Sequence, residues 1–261
     1  ASLAADVRGD FFPVGRIQTP VLAMVVRRDL AIQNFTSDDY FELEATVRSA
    51  SGKTFKMWHA PAEDKRIRVR ADAERLLKQA EHANAPLSVE KKPGKESPPM
   101  PYKLPSLQKD AIRILGLTAK RVLEVAQVLY EKKAITYPRT DCEFLAVSQK
   151  GEVDETLAII AKRFSGAVET LQKQGTNLRS STFDDAKLTD HHAIVPTALF
   201  VPLDGLELQL YTLVAQRYLQ TISKDCLFDG TKVSMDANGV PFSATGKAVT
   251  FDGWRAVKLG V

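Results

Sequence analysis

Five prolines fall within residues 91–105, and this cluster constrains the fold more than any other feature of the sequence. Proline has no amide donor and blocks helix formation, so a stretch this rich in proline is typical of a connector. Lys91, Lys92 and Lys95 add positive charge to it. The sequence therefore predicts a basic connector over residues 91–105 that divides the chain into units.

Before this connector, the hydrophobic pattern changes from a helical period to a period of two. Thr19 suits a helix N-cap and Pro20 the first helical position, and apolar residues then recur at helical spacing to about Asn34. In Tyr40–Val47, apolar and polar residues alternate, which predicts a half-buried strand. The sequence further predicts a turn at Ser51-Gly52, strands at Lys53–His59 and Arg66–Arg70, and a short helix at Ala71–His82.

After the connector, the sequence is mainly helical and then returns to strands. Thr118 can cap a helix on which Val122, Val125, Ala126 and Leu129 form one apolar stripe. Further helices are predicted at Gln108–Leu115, residues 151–173 and Leu206–Ile222, with a polar loop at residues 174–190. Asn238-Gly239 predicts a hairpin between the strands Lys232–Met235 and Phe242–Thr245, because both residues tolerate positive φ.

Composition indicates a globular chain but does not identify its function. Of the 261 residues, 44% are hydrophobic and 26% are charged, which suits one large domain or two smaller ones. We find no signal peptide and no apolar stretch near the roughly 20 residues of a membrane span. Cys142 and Cys226 lack metal-ligand spacing and fit free thiols in a reducing compartment. The formal charge of +4 favours a nucleic-acid partner only slightly, and the basic connector suits a solvated linker as well as DNA contact.

The segment Ile135–Asp141 contains a tyrosine close to an arginine. Pro138 biases Tyr137 away from helical backbone, so its side chain can be presented at the edge of an element. A tyrosine hydroxyl needs a nearby cation or base to act as a nucleophile. Arg139 offers a permanent charge, and its planar fork fits two phosphate oxygens. The pair suits attack on a phosphate, although such a triplet taken alone is more often structural.

Two adjacent histidines, His191 and His192, lie in the segment Thr189–Thr197. They suggest metal binding, but neighbours on an extended chain point to opposite sides, and no third histidine or cysteine is nearby. A histidine that hydrogen-bonds a phosphate oxygen or shuttles a proton is the better functional interpretation. A capping or core histidine is the alternative, and this segment alone favours it.

A third segment, Gly15–Pro20, precedes the first predicted helix. It places Arg16 and Gln18 beside a helix N-terminus, where free amides and the helix dipole attract phosphate. Because an arginine in front of a helix is common, this pattern indicates phosphate contact only in combination with others.

Together these segments resemble the motifs of type IA DNA topoisomerases, in the order in which that family carries them. Val14–Val26 (VGRIQTPVLAMVV) resembles the family's S-x-G-R-V-Q-T-P segment, and Leu104–Asp110 (LPSLQKD) resembles its S-x-L-Q segment. Ile135–Cys142 (ITYPRTDC) resembles the active-site motif I-T-Y-P-R-S/T-D, and Asp190–Thr197 (DHHAIVPT) resembles H-E/H-A-I-x-P-T. These two are most similar to the topoisomerase III form, and Phe242–Val257 also resembles a family strand region.

The resemblance implies roles for individual residues. Tyr137 would attack one DNA strand and form a 5′-phosphotyrosine, Arg139 would steady the phosphate, and His191 would contact the scissile phosphate region. His192 holds the more variable position. The residues implied in DNA binding are Pro13, Val14, Gly15, Arg16, Ile17 and Gln18 along a single-strand groove, Ser106 and Gln108 near the nucleophile, and Thr140 and Asp141.

The sequence also departs from the family pattern. Pro13 stands where the family has serine, which removes a hydroxyl and an amide donor, and Glu143-Phe144-Leu145 replaces a more basic stretch. The family's Mg²⁺ is bound by an N-terminal Toprim domain with an Asp-x-Asp motif, which this sequence lacks. The pairs Asp38-Asp39 and Asp184-Asp185 suit helix capping and a loop instead. We therefore expect an excised central fragment with no metal or cofactor of its own.

The order of the elements and the resemblance together predict an α+β multidomain fold. A β-rich hinge domain would comprise residues 36–103 and 198–261, and a helical domain inserted at residues 104–197 would carry the active-site tyrosine. Residues 1–35 would be a remnant of the helical domain that lines the DNA groove. In the family these parts form the arch of a ring that opens to pass a strand.

The resemblance implies an ATP-independent topoisomerase that relaxes or decatenates DNA by single-strand passage. Its partner would be single-stranded or negatively supercoiled DNA, and the full-length enzyme would use Mg²⁺. A cytoplasmic, nucleoid-associated monomer without membrane contact is expected, and the fragment alone is expected not to cleave. The alternatives are a non-catalytic single-stranded-DNA-binding module and a metal-dependent hydrolase that uses His191 and His192.

Overall fold

The computed structural model describes residues 2–5, 11–61 and 66–260, and their packing divides the chain into two compact units. Unit 1 comprises Ala1–Pro86 and Ser234–Ser243, and unit 2 comprises Leu87–Val233 and Ala244–Val261. The finer division at residues 35, 103 and 197 stays a prediction.

Six α-helices and seven β-strands occur in the described residues, which confirms the predicted α+β class. Unit 1 contains β1 (Ser2–Ala5), β2 (Phe11–Val14), α1 (Gln18–Gln33), β3 (Glu44–Arg48), β4 (Thr54–His59) and α2 (Arg70–Ala80). Unit 2 contains β5 (Ser88–Glu96), α3 (Leu104–Leu115), α4 (Ala119–Glu131), α5 (Val153–Gln174) and α6 (Gly205–Thr221). Two long strands, β6 (Cys226–Ala237) and β7 (Val240–Phe251), pass through both units. No helix among the described residues is long and apolar enough to cross a membrane.

In unit 1, β3 and β4 form an antiparallel hairpin whose turn contains Gly52 at φ +82°. Positive φ of this kind is available to glycine without steric cost, so the predicted turn is confirmed. Burial alternates along β3, as the period of two predicts. The strand begins at Glu44 rather than at Tyr40, and Phe41 contributes one isolated bridge.

The strand predicted at Arg66–Arg70 is wrong. Ile67 makes a single bridge to Phe41, and Arg70 already begins α2. An ion pair between Arg70 and Glu74, one helical turn apart (2.9 Å), stabilises the first turn of that helix. The helix predicted at Ala71–His82 is thus confirmed, and it includes Arg70, which the sequence assigned to the strand.

α1 forms where the sequence predicts a helix, but none of its residues is buried. It begins at Gln18, and the Thr19 hydroxyl accepts a hydrogen bond from the Gly15 N–H (3.3 Å) instead of capping later amides. Pro20 lies in the first turn, where its missing amide leaves no helical bond unmade. The apolar stripe that predicts the helix is exposed, with Leu22 at 63%.

The five-stranded sheet has the order β3-β4-β7-β6-β5. β4 pairs antiparallel with β7, with Trp58 opposite Ser243. Asn238 (φ +56°) and Gly239 (φ +86°) join β6 to β7. Two successive positive φ angles define the turn that suits the twist of a hairpin, so the hairpin predicted from this dipeptide is confirmed.

The connector predicted at residues 91–105 is wrong over its first part, where Ser88–Glu96 forms β5. β5 is the outermost strand of the sheet, and an edge strand needs a hydrogen-bond ladder on one side only, so Pro93 is tolerated. The Phe228 ring leaves no room for a side chain at Gly94, and an aromatic ring over an edge glycine restores packing. The edge position depends on strands far along the chain, which local composition does not reveal.

In unit 2, α3 to α6 surround the main hydrophobic core. The stripe predicted on α4 is confirmed, because Val122, Val125, Ala126 and Leu129 are all buried. Thr118 caps this helix by accepting a hydrogen bond from the Arg121 N–H (3.2 Å). The other predicted helices of this unit are confirmed as α3, α5 and α6, and the predicted polar loop contains one 3₁₀ turn at Asp185–Lys187.

Candidate active site

The C-terminal end of α4 directs the chain toward Tyr137. Lys133 takes the left-handed conformation (φ +59°), its N–H donates to Tyr130 O (2.8 Å), and the Ala134 N–H donates to Leu129 O (2.8 Å). These two bonds form a Schellman motif, which satisfies the last helical carbonyls and ends the helix sharply. Tyr137 therefore follows a helix end with a defined geometry.

Residues 134–136 pair with residues 193–197, although the two segments are far apart in sequence. The Thr136 N–H donates to Val195 O (3.0 Å), and the Thr197 N–H donates to Ala134 O (3.1 Å). The Thr136 hydroxyl donates to Ala193 O (2.8 Å) and accepts from the Val195 N–H (3.0 Å). Thr136 thus fastens the tyrosine segment to the histidine segment with both its backbone and its side chain.

The histidine segment is also held from its other side. The Ile194 N–H donates to Tyr102 O (2.7 Å), and the Tyr102 hydroxyl donates to Asp110, which also binds Arg217 (2.6 Å). Burial raises the pKa of Tyr102 above its usual range. Burial also acts to raise the pKa of Asp110, but hydrogen bonds from Tyr102 and Arg113 and the charge of Arg217 outweigh it, so the Asp110 pKa is lowered. This network keeps Asp110 ionised and anchors the segment to α3 and α6.

Tyr137 lies between two other rings. Its ring centroid is 4.3 Å from that of His191, at an interplanar angle of 43°. The Tyr130 ring meets it edge-on, with centroids 5.4 Å apart and an interplanar angle of 77°. Edge-to-face contacts of this kind restrict ring orientation. The structure therefore brings together two of the three predicted catalytic residues, Tyr137 half-buried and His191 exposed.

The residues after the tyrosine differ in exposure. Arg139 and Asp141 are exposed, so a bound phosphate has access to the Arg139 guanidinium. Thr140 is only 4% exposed, its hydroxyl accepts from the Cys142 N–H (3.0 Å), and its carbonyl accepts from the Leu104 N–H (3.0 Å). Thr140 thus stabilises the loop and links it to α3. Its predicted DNA contact, and that of Asp141, stay predictions.

Ser106 and Gln108, predicted near the nucleophile, both have partners at helix ends. The Ser106 hydroxyl accepts from the Lys103 N–H (3.1 Å) and donates to Lys103 O (2.9 Å). These two bonds lie at the start of α3, which begins at Leu104, four residues earlier than predicted. The Gln108 side chain donates to Ala119 O (3.0 Å), at the start of α4. These contacts position the helices, and a DNA contact by either residue stays a prediction.

Glu143, which replaces a more basic residue of the family pattern, binds Lys103 at 2.9 Å. The hydrogen bond from Lys103 to Glu143 and the charge of Glu143 raise the pKa of Lys103. The carboxylate of Glu143 is therefore compensated by a neighbouring cation, which reduces its repulsion of a phosphate at this site.

His192 is held apart from His191. One of its ring nitrogens, Nδ1, lies 2.9 Å from Ala193 O, and Nε2 lies 3.3 Å from the side-chain nitrogen of Gln149. Both nitrogens are thus occupied by protein groups. Throughout residues 2–5, 11–61 and 66–260, no three His, Cys, Asp or Glu side chains gather to form a candidate metal site. The predicted absence of a metal site in this chain stays a prediction, and we assign no chemical step to a metal.

The remaining predicted DNA contacts form a separate group in unit 1. Arg16 and Gln18 are exposed, and Gln18 is the first residue of α1. The Thr19 N–H donates to Gly15 O (3.1 Å), the Val21 N–H donates to Ile17 O (3.1 Å), and Pro20 has no amide hydrogen, so few amides in this first turn are left for a phosphate. Pro13 and Val14 end β2, and Gly15 and Ile17 connect it to α1. The predicted phosphate contact of this segment stays a prediction.

A family model described as DNA topoisomerase matches residues 2–260. The chain belongs to this DNA topoisomerase family. Among curated relatives, DNA topoisomerase 3 of Vibrio cholerae is 34% identical over 94% of this chain, and DNA topoisomerase 3 of Bacillus subtilis is 36% identical over 93%. The predicted likeness to topoisomerase III is thus confirmed. The chain spans 40% and 34% of the lengths of these two relatives.

Among solved structures, full-length topoisomerase I from Thermotoga maritima matches 97% of this chain and 42% of its own, with a TM-score of 0.69 and 21% identity. At that identity the match shows a shared fold and does not transfer residue roles. It agrees with the mixed helix and sheet architecture described above.

Sequence reasoning missed Thr136 and Tyr130 as parts of this site. Tyr130 lies seven positions before Tyr137, on the exposed side of α4, where an aromatic residue has no core to fill. That exposed tyrosine, adjacent to a buried stripe, is the signal that indicates a role outside the core. Thr136 has no comparable signal, because its partners lie 57 and 59 residues away.

Proposed function

We propose that this chain carries the nucleophile of a type IA DNA topoisomerase that acts by single-strand passage. The Tyr137 oxygen attacks a backbone phosphorus, the bond from phosphorus to the 3′ oxygen breaks, and the 5′ phosphate stays on the tyrosine. One proton leaves the phenol and one joins the 3′ oxygen. The 3′ hydroxyl later attacks the phosphotyrosine and restores both groups. Because the number of ester bonds is conserved, the cycle needs no ATP.

The observation that supports this proposal most is the placement of Tyr137. Tyr137 is half-buried, and its ring centroid lies 4.3 Å from that of His191 at a tilt of 43°. It directly follows Thr136, whose hydroxyl bonds the histidine segment. The exposed guanidinium of Arg139 lies two residues on and would bind the phosphate oxygens. His191 would donate a hydrogen bond to the same phosphate.

The substrate would be a single-stranded region of negatively supercoiled DNA. Its backbone would contact the exposed Arg16 and Gln18 at the start of α1 as well as the Tyr137 segment. Mg²⁺ would be held by a Toprim domain, as the resemblance implies, and not by the residues described here. The protein would work in the cytoplasm on the nucleoid, as a monomer.

The test uses Tyr137→Phe in the complete natural protein, which removes only the attacking oxygen. Covalent adduct with a labelled single-stranded oligonucleotide, measured on a denaturing gel, is expected to disappear. Tyr211→Phe is the matched control, because its ring is 2% exposed in the core of unit 2. That control is expected to keep the adduct, and an adduct that survives in Tyr137→Phe would contradict the role of Tyr137.

A second experiment concerns the 261 residues by themselves. Without a metal site among their described residues, they are expected not to relax negatively supercoiled plasmid in Mg²⁺. Relaxation by the purified chain would contradict this part of the proposal. A non-catalytic DNA-binding module is the alternative, and it predicts salt-dependent oligonucleotide binding with no adduct even in the complete natural protein.

A further inference from the structure

Unit 1 contains a cavity of about 340 Å³ at the point where β3 begins and β4 ends. The residues that line it include the aromatic residues Tyr40, Phe41, Trp58 and His59 and the cation Arg66. Sites for small ligands have volumes of about 300–1,000 Å³, so this cavity can take one nucleotide. It is built from residues that the proposed chemistry does not use.

Backbone hydrogen bonds fix the walls of this cavity. The Phe41 N–H donates to Ile67 O (2.8 Å), which ties one wall to the residue that precedes α2 by three positions. The His59 N–H donates to Leu43 O (2.9 Å), which joins the end of β4 to the segment before β3. These two bonds set the backbone positions from which the lining side chains extend.

Two large aromatic side chains in this cavity are half exposed. Side chains alternate along β4, so that Met57 is fully buried while Trp58 points outward and is 49% exposed. Tyr40 is 48% exposed. Neither ring fills the core. The Arg66 guanidinium lies over one face of Tyr40, so a ligand would stack on the opposite face of that ring and on the exposed surface of Trp58.

Charge at the cavity favours a nucleotide over a simple anion. The Arg66 guanidinium lies 4.8 Å from the centroid of the Tyr40 ring and is exposed, so its charge is available to a phosphate. Glu42, which also lines the cavity, would repel a ligand that consists of phosphate alone, but it can accept hydrogen bonds from the amino groups of a base. Burial lowers the pKa of His59, which disfavours the protonated form of its ring.

We propose that this cavity binds one unstacked base of single-stranded DNA, with Trp58 and Tyr40 as the stacking rings and Arg66 on the adjacent phosphate. Aromatic side chains beside a cation are how sequence-tolerant proteins hold single strands, because every base has a flat face. A base inside a duplex is already stacked and does not reach such rings. The ligand class rests on the proposed function, and the site would bind DNA without taking part in cleavage.

The sequence offers a direct optical test, since Trp58 and Trp254 are its two tryptophans. In a Trp254→Phe background, fluorescence from Trp58 alone is titrated with a short oligothymidylate while fluorescence anisotropy of a labelled strand reports total binding. Saturable quenching of Trp58 is expected. An abasic strand of the same length, which keeps the phosphates but has no bases, is expected to leave the fluorescence unchanged.

Variants then measure what the rings contribute. Stacking of one base is worth about 1–3 kcal/mol, so Trp58→Leu and Tyr40→Leu are each expected to weaken binding between about 5-fold and about 150-fold. Both residues are half exposed, so neither change removes a core side chain, and circular dichroism verifies the fold. Phe200→Leu, at a residue 47% exposed in unit 2, is the matched control and is expected to leave affinity unchanged.

Equal quenching by the abasic strand would overturn the proposal. Oligonucleotide binding seen by anisotropy without any change at Trp58 would also overturn it, and would leave a protein segment as the occupant of the cavity. The result is independent of the adduct assay, because loss of adduct in Tyr137→Phe does not alter Trp58. Quenching without an adduct in the natural protein would support this site while contradicting the proposed cleavage.

Discussion

The Thr136 hydroxyl offers the sharpest test of how the tyrosine and histidine segments are joined. In Thr136→Val the hydroxyl is replaced by a methyl group of nearly the same size, so the packing volume is kept. The Val195 N–H loses its acceptor at 3.0 Å, and Ala193 O loses a donor at 2.8 Å. The change therefore isolates two hydrogen bonds.

The two losses are unequal. Val195 is 4% exposed, so its N–H is left buried without a partner, which costs about 1–3 kcal/mol. Ala193 O keeps its contact with His192 Nδ1 at 2.9 Å, so losing one donor costs only about 1 kcal/mol. We expect Thr136→Val to lower the free energy of unfolding of unit 2 by about 2–4 kcal/mol.

Urea unfolding followed by circular dichroism measures this change. With a slope of about 3 kcal/mol per molar urea, the midpoint of the unit 2 transition is expected to fall by about 1 M. Thr136→Ser keeps the hydroxyl and should recover most of the loss. Thr170→Val is the matched control on α5, because its half-exposed hydroxyl bonds only within its own helix, to Gly166 O, and about 0.5 kcal/mol or less is expected.

The outcome that refutes this reasoning is specific. If Thr136→Val costs no more than Thr170→Val, the hydroxyl does not fasten the two segments. Amide hydrogen exchange is a second measurement of the hydrogen bond from the Val195 N–H to the Thr136 hydroxyl. This amide should exchange with solvent faster in Thr136→Val than in Thr136→Ser. Unchanged exchange at that amide would contradict the hydrogen bond itself.

Two further changes test unit 2 at other places. Gly253 has φ +53°, and a Cβ there would overlap the Asp225 backbone. Gly253→Ala should therefore lower the free energy of unfolding in urea by at least about 2 kcal/mol. A loss below about 0.5 kcal/mol would contradict this close approach of the two backbones. Hydrogen bonds from Arg255 and Lys247 lower the pKa of Glu96 to about 2, below the value of about 4.3 in the unfolded chain. The ionised Glu96 side chain therefore stabilises the fold above about pH 4.3, and this contribution is lost as the pH falls toward about 2. Glu96→Gln should therefore lose less of its urea midpoint than the natural chain between about pH 5 and about pH 3, and equal losses would show that Glu96 is not responsible.

Local patterns in the sequence predicted the elements whose causes are local. The stripe from Val122 to Leu129 identifies α4, and Asn238-Gly239 identifies the β6–β7 turn, because helix period and turn geometry depend on adjacent residues. Ser88–Glu96 was missed because a strand with Pro93 is possible only at the edge of a sheet, and edge position depends on distant partners.

The site shows the same limit. The chemistry of Tyr137 and Arg139 follows from residue type, and the motif order indicated His191 as a partner. The 4.3 Å contact between Tyr137 and His191 depends on the pairing of two segments more than 50 residues apart, and no spacing rule provides it. Thr136, which makes that pairing, looks in the sequence like any threonine at a strand end.

The edge position of β5 also bears on how copies of the chain behave when concentrated. A sheet edge with unpaired amides can recruit a strand from another molecule and grow into an aggregate. An approaching strand would meet Pro93, which has no donor, and the lysines Lys91, Lys92 and Lys95. Although Lys92 binds Glu90 and Lys95 binds Asp225, Lys91 leaves a net positive charge along the strand. The proline and lysines of β5, which in the sequence look like those of a linker, thus protect the folded protein against edge-to-edge polymerisation.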